Sequence, residues 1–489
     1  MKSSDLIHIQ LDYGSAMQSK KETLSSEINL LNIKKNMRTY HFLRKDEVKT
    51  KLKVYRKIKE LMILLNRLQK NLPEIDIPRN LTRTKTENEN YEKEIFSKLN
   101  TIIKKINQNQ KYIKAILGGS GAKGTWLRTF DADIFVLFNY NKFKDKSDKL
   151  SDILEHILRN KFRNTLRLHG SRDYFQIKQN KFTFEIVPIL KIQKAEQAKN
   201  ITDVSPLHSN WVLKHKKLIN DMKLTKQFCQ AQNVYGAESY IRGFSGYICE
   251  ILTIYYGSFL NLIKAASKWQ DKVVIDMEKY YKGKDVFKLV NTSKLVSPLI
   301  VIDPVQKDRN AAAALSAEKF GLFKKASKNF LKNPSKGFFV KKNLDEIFLK
   351  KKLTDKKLIK IRVKPLTGKT DVVGGKLLKI YEFSANELTK HDFKTLKAGW
   401  EWNKKNDAIF YFLFGKKKLP KTIEIEGPPL EIEHHANNFK KMHKKTFVKN
   451  DKIYASDKRK FLMPEDLLRS LIKSKFVKER SKSIKIEIL

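Results

Sequence analysis

The stretch from Leu117 to Phe138, LGGSGAKGTWLRTFDADIFVLF, constrains this chain more than any other. It opens on a glycine pair and a serine, passes through a short basic turn, and ends with Asp131-Ala132-Asp133 set in an apolar strand. Residues two apart on a strand point to the same face. Asp131 and Asp133 are therefore expected to project together, with Ala132, Ile134 and Val136 facing the other way. Two neighbouring carboxylates repel each other unless positive charge sits between them. Mg2+, a hard cation that prefers oxygen ligands, meets that need. Upstream, Gly118, Gly119 and Ser120 offer backbone N–H groups leading into a helix start, which is where a phosphate binds.

A third carboxylate would complete such a site. Glu185 in FTFEIVPIL interrupts an apolar, strand-like run. If that strand lies beside the one carrying Asp133, three acids converge on two metal ions, the clamp suited to in-line displacement at phosphorus. Each feature alone has an ordinary reading: D-x-D as a strand start after a turn, Glu185 as a solvated edge residue. Together, a phosphate cradle followed by paired metal carboxylates is the layout of a nucleotidyl-transfer site.

The run GSGAKGTWLRTFDADIFVLF resembles the head domain of archaeal (class I) CCA-adding enzymes, members of the DNA polymerase β-like nucleotidyltransferase superfamily. The resemblance continues in order through FEIVPIL, DVSPLHSNWV, YGAESYIRGFSGYICEILTIYYGSF, VIDPVQKDRNAAAALS and NPSKGFF, and spans roughly residues 85 to 470. Two acids are exchanged relative to the family, which usually has Glu at Asp131 and Asp at Glu185, and the turn between Ser120 and Asp131 is one residue shorter. The exchange keeps the charge and moves each oxygen by about one bond.

The resemblance implies that Asp131 and Asp133 hold the metal ions, and that Glu185 completes the set and helps deprotonate a terminal 3′-hydroxyl. It also implies that Gly119, Ser120, Lys123, Ser205, His208, Lys226 and Tyr235 surround the incoming triphosphate. Arg309 would read a nucleobase edge or the primer backbone, a task suited to a planar guanidinium. Read singly, His208 could be a helix N-terminal residue satisfied by backbone, Tyr235 a core aromatic, and Arg309 a tie for the Asp303 turn. The implied activity is addition of C, C and A to the 3′ end of tRNA from CTP and ATP, with Mg2+ and no nucleic-acid template. The alternatives are a poly(A) polymerase or oligoadenylate synthase-like transferase, or a non-catalytic tRNA-binding protein with a degenerate site.

Composition agrees with a polyanionic partner. Lys and Arg number 101 against 52 acids, a formal charge of +49, which implies a polyanion or, as the competing choice, a membrane surface; the resemblance implies that the polyanion is tRNA, met through its acceptor stem and 3′ end. No apolar run reaches the roughly 18 residues that a membrane helix needs. The most apolar stretch, Tyr247 to Ile263, is interrupted by Glu250, Ser258 and Asn261 and reads as a buried helix. The start MKSSDLIHIQ lacks the apolar core of a signal peptide. Cys229 and Cys249 have no metal-ligand spacing. A cytoplasmic setting fits, without membrane contact, and a homodimer is compatible with it.

The fold class expected is α+β and multidomain. Residues 1–84 form a helical extension, with Val48, Leu52, Tyr55, Ile58, Leu61, Leu65, Leu68 and Leu72 at coiled-coil-like spacing, stopped by Pro73; Pro73 to Thr86 reads as a linker. Residues 85–199 form the catalytic head, a mixed sheet flanked by helices. Residues 200–335 form a helical central domain that binds nucleotide, and 336–489 an α+β body and tail that bind tRNA. In the body, Leu358–Val363, Lys376–Leu388, Leu396–Trp402 and Ala408–Phe414 read as strand, helix, strand and strand. Trp400 and Trp402 share a strand face, either as core or as a stacking surface for RNA. Gly427-Pro428-Pro429 ends that module, His434, His435 and His443 are solvated or phosphate-facing, and a basic tail follows a final helix, Pro464–Phe476.

Overall fold

The computed structural model describes residue 60 and residues 85–127, 132–289, 295–341 and 355–489. Apart from Glu60, the extension 1–84 with its expected helix from Val48 to Leu72 and most of the expected linker lies outside the described residues, as does Asp131. The chain divides into two compact units, one taking in residues 1–237 and 241–342, the other residues 238–240 and 343–489.

The first unit begins with helix α1 (Lys85–Asn107), whose Ile95, Leu99, Ile102 and Ile106 recur on one face and are at most 2% exposed. Asn107 clips the end of this helix to strand β1 (Ile113–Leu117), accepting from the Ala115 N–H at 2.6 Å and donating to the Ala115 carbonyl at 3.1 Å. The short helix α2 (Gly119–Lys123), strand β2 (Ala132–Asn139), helix α3 (Leu150–Arg159) and strands β3 (Thr165–Leu168), β4 (Tyr174–Gln179) and β5 (Phe182–Lys191) follow. The sheet order is β1-β2-β5-β4-β3, with β2 and β5 parallel and the other pairs antiparallel. A parallel pair needs a crossover, and α3 with the β3–β4 hairpin supplies it. Ala132, Ile134, Val136 and Phe138 are wholly buried beneath Leu150, Leu154 and Leu158 of α3. Asn180, at φ 55°, makes the tight turn from β4 into β5.

The same unit continues through helices α4 (Ser205–Leu213), α5 (Ile219–Ala231), α6 (Gly246–Tyr256) and α7 (Phe259–Ala266), strands β6 (Val273–Asp276), β7 (Leu299–Asp303) and β8 (Gln306–Asn310), and helix α8 (Ala317–Lys332). The sequence suggests one buried helix over Tyr247–Ile263, but the structure has two. Gly257 turns the chain left-handed at φ 78°, and the Ser258 hydroxyl caps the next helix by accepting from Asn261 N–H. Phe228 is the centre of the core here, packed edge-on against Phe259, Phe323 and Phe330 at 5.6–5.9 Å between ring centroids. The wholly buried run Leu299–Asp303 forms the middle strand of a three-stranded sheet, β6-β7-β8, within this otherwise helical region.

In the second unit, strand β9 (Lys356–Pro365), helix α9 (Thr370–Lys390) and strands β10 (Lys397–Trp402) and β11 (Ala408–Gly415) follow the strand-helix-strand-strand order read from sequence. Trp400 and Trp402 pack onto its core and against Tyr240, 6.2 and 5.7 Å between centroids, so they serve as core here. Gly427-Pro428-Pro429 does not end a module. It completes strand β12 (Thr422–Pro429), which joins β13 (Thr446–Lys449) and β14 (Lys452–Lys458) in a second sheet covered by helix α10 (Glu433–Met442). His443 is paired with Asp457 at 2.7 Å, whereas His434 and His435 are exposed. Helix α11 stops at Leu471 (Pro464–Leu471), and the basic tail becomes strand β15 (Ser481–Ile488) along the edge of β9. The alternation Ile484, Ile486 supplies the reason: both side chains pack on the core of this unit.

Candidate active site

Strands β2 and β5 set Asp133 directly opposite Glu185 in parallel register. Registered residues of neighbouring parallel strands lie about 4.8 Å apart and share a sheet face, so the two carboxylates emerge side by side. Both residues are half-buried. Gln176 of β4, the next strand along, is registered with Glu185 and donates to its Oε1 at 2.9 Å. Gly118 N–H donates to the Asp133 carbonyl at 2.8 Å, which ties the glycine turn to the start of β2. Gly119 has φ +52°, and a Cβ there would lie 1.7 Å from Asp133 Oδ2. Only glycine fits, both for conformation and for space. The Asp133 carboxylate is therefore held against the opening turn of α2, whose first N–H groups have no partner within the helix. The donor set is oxygen only, which suits a hard cation such as Mg2+. Among the described residues no three acids, histidines or cysteines converge; Asp131 lies outside them.

Of the residues that the sequence resemblance assigns to the triphosphate, Lys123 and Lys226 fall into one further cluster and His208 into another. Lys123, at the end of α2, donates to Glu250 Oε2 at 2.6 Å, and Lys226 of α5 donates to Glu250 Oε1 at 2.6 Å. Thr125 completes the cluster, its hydroxyl 2.5 Å from Glu250 Oε1 and 2.9 Å from Lys226 Nζ. Glu250 is wholly buried and Lys226 is 2% exposed. Burial by itself would raise the Glu250 carboxyl, but the Lys226 and Lys123 charges outweigh it and hold the group below the usual carboxylate range. Lys226 is displaced downward too: burial depresses its ammonium, and the repulsion of Lys123 adds to this against the pull of Glu250. Both shifts are downward for different reasons, burial for Lys226 and the two cations for Glu250. Gly246, which opens α6, leaves room for Tyr235 and Lys226: a Cβ there would be 2.9 Å from the Tyr235 hydroxyl and 3.5 Å from Lys226 Nζ.

Asp303, at the end of β7, centres the other cluster. Its Oδ2 lies 3.0 Å from His208 Nε2 and accepts from Arg309 at 2.7 Å, while Oδ1 accepts from Val305 N–H at 3.0 Å and the Tyr247 hydroxyl at 3.3 Å. Burial pushes the Asp303 carboxyl up, but the His208 hydrogen bond and charge, with Arg309, bring it below its ordinary value. Tyr247 joins the clusters: its ring lies 4.2 Å from that of His208, and Lys123 Nζ sits 5.8 Å from its centroid. Burial and the nearby Asp303 push the Tyr247 phenol well up. Ser205 begins α4, which packs against α2, the helix that carries Ser120. Arg309 is both tied to the Asp303 turn and partly exposed, 32% at its side chain.

Sequence reasoning missed Glu250, Thr125, Tyr247 and Gln176 as members of these clusters. Glu250 had a legible signal. An acid in an otherwise apolar helix has to find a cation or a set of donors, although the pattern does not say which.

Three family models match the chain: nucleotidyltransferase domain over residues 99–208, the second domain of tRNA nucleotidyltransferase over 220–340, and the C-terminal domain of CCA-adding enzyme over 369–487. The CCA-adding enzyme of Nanoarchaeum equitans is 36% identical over 365 residues, 74% of this chain and 88% of that protein. That of Methanocaldococcus jannaschii is 30% identical over 406 residues, 80% of this chain and 89% of that protein. That of Methanococcus maripaludis is 32% identical over 402 residues, with 80% and 89% covered.

Proposed function

The chain belongs to the CCA-adding enzyme family of tRNA nucleotidyltransferases, and from that premise we propose how its site adds C, C and A to the 3′ end of tRNA. The observation that carries the reading is the register of Asp133 with Glu185, closed on one side by the Gly118–Gly119 turn. Asp133 and Glu185, with Asp131, would hold Mg2+, which when bound supplies positive charge to the reacting phosphoryl oxygens. Glu185, oriented by Gln176, takes the proton of the terminal 3′-hydroxyl of tRNA. The hydroxyl oxygen bonds to the α-phosphorus of CTP or ATP, and pyrophosphate leaves. Gly119 and Ser120 face the triphosphate with backbone N–H groups at a helix start. Lys123, Ser205, His208, Lys226 and Tyr235 supply further donors around it, and charge-assisted hydrogen bonds of this kind are what stabilise a phosphoryl group in transfer. Arg309, with its guanidinium partly open to solvent, is offered to the base or the primer end.

The lysine-rich second unit grips the acceptor stem through phosphates and 2′-hydroxyls, largely by shape, in the cytoplasm. No helix among the described residues is long and apolar enough to cross a membrane. The test is incorporation of labelled CTP and ATP into tRNA lacking its terminus, across a range of Mg2+. Ordered addition of two C and one A supports the reading. A ladder of A alone would favour an adenylate polymerase, and no incorporation at any Mg2+ concentration would remove the transferase.

A further inference from the structure

We propose that Glu250 is the positioning residue that holds Lys123 and Lys226 together and aims them at the triphosphate end of the site. The proposal rests on the nucleotidyltransferase reading above and goes beyond it in assigning a residue that itself meets no substrate. A buried carboxylate with two ammonium partners is over-compensated: one negative charge against two positive leaves a net positive charge, held in place and matched to an incoming polyphosphate. Hydrogen-bond capacity then divides the work between the lysines. An ammonium has three donors. Those of Lys226 are spent on Glu250 Oε1 at 2.6 Å, Thr125 Oγ1 at 2.9 Å and the Thr125 carbonyl at 3.1 Å. Among the described residues Lys123 Nζ has one acceptor, Glu250 Oε2 at 2.6 Å, so two of its N–H groups remain for an anion. Lys123 is thus the first to meet a phosphate oxygen, and Lys226 must give up a bond to Thr125 to follow it.

The groups that meet this carboxylate come from separate elements. Lys123 and Thr125 approach from the end of α2 and the turn after it, and Lys226 from α5. Tyr247 and Cys249 belong to the same helix as Glu250, and the Tyr235 hydroxyl lies near Lys226 across Gly246. Among the described residues Glu250 is the one acid bonded to these lysines. Without its charge, two buried ammonium groups face each other unopposed, and burial already draws Lys226 down. Lys226 then sheds its proton more readily as pH rises.

The experiment compares wild type, Glu250→Gln, Glu250→Asp and Lys123→Gln, by steady-state kinetics from pH 6.5 to 8.5 and by calorimetric titration of CTP onto the full chain without tRNA. Expected for Glu250→Gln is a rise in KM and in the CTP Kd of about tenfold at pH 6.5, the scale of one lost charge-assisted hydrogen bond. The rise should grow further toward pH 8.5, with kcat within about threefold of wild type (about 0.7 kcal/mol in the barrier from the bound complex). Glu250→Asp keeps the charge and should restore the flat pH profile. Lys123→Gln should weaken CTP without the new pH dependence, and it keeps the proposal testable should Glu250→Gln fail to fold. Wild-type affinity in Glu250→Gln at every pH, a fall in kcat with unchanged KM, a Glu250→Asp no better than Glu250→Gln, or wild-type CTP affinity in Lys123→Gln would each overturn it. Because CTP binding is read separately from transfer, an inactive wild type would sink the transferase reading while the titrations still decide the role of Glu250.

Discussion

Gly119→Ala is the sharpest probe of how the carboxylates are held. At φ +52° an alanine pays a left-handed penalty of about 1–2 kcal/mol. Its Cβ would also stand 1.7 Å from Asp133 Oδ2, and real Cβ atoms do not approach within 3.0 Å. The carboxylate or the turn must therefore move by at least 3.0 − 1.7 = 1.3 Å. Misplacing a catalytic group by roughly 1 Å costs on the order of 100-fold in rate. The expectation is a fall in kcat for CMP and AMP incorporation of about 100-fold or more, with melting lowered by only a few degrees, about 2–4 °C per kcal/mol in a domain of this size. Gly257→Ala provides the matched control: φ is +78°, yet nothing lies within 4 Å of its Cβ. It carries the same backbone strain without the clash, and should lose similar stability but keep its rate. A folded Gly119→Ala enzyme within threefold of wild type (about 0.7 kcal/mol) would refute the reasoning. So would a Gly257→Ala enzyme that loses as much activity.

Gln176→Leu removes the donor on Glu185 Oε1; if Glu185 holds Mg2+ as proposed, the Mg2+ concentration for half-maximal rate should rise by about 10–100-fold, the usual cost of losing a partner behind a metal ligand, and titration of activity against Mg2+ checks it. Asp303 and Glu250 both have carboxyls lowered on folding, from ordinary values of 3.8 and 4.5. Their stabilisation is therefore present above those values and lost as pH falls through the lower folded ones. Melting temperature should stay flat from neutral pH to about 5 and drop below about 4, and Asp303→Asn should shrink that acid limb while costing about 3–5 kcal/mol at neutral pH. Deleting residues 481–489 strips β15 from the edge of β9. Limited proteolysis should then cleave the second unit faster, since Ile484 and Ile486 leave its core.

Much of the scaffold is legible in the sequence because its signals are local. Helix α1 announces itself through Ile95, Leu99, Ile102 and Ile106, and β2 and β5 through apolar runs broken by single acids. Those acids also name the chemistry, since few folds place charge in such strands without a use for it. The helix break at Gly257-Ser258 was legible as well, in a glycine followed by a capping serine, but the apolar content of the segment masks it. The tail strand shows only a short alternation, and its partner β9 lies more than a hundred residues earlier in the chain.

By itself the sequence determined which residue types the site could draw on: an acid pair with a third acid downstream, a glycine turn, and lysines spread through the chain. Tertiary structure alone decided which of them meet. Lys123 reaches an acid 127 positions away and Lys226 reaches the same acid across 24, while His208 and Asp303 close over 95. Helical or strand periodicity reports only which face of an element is buried. The partner a buried charge finds depends on how separate elements pack, because a desolvated ion is tolerated only where an opposite charge is brought to it.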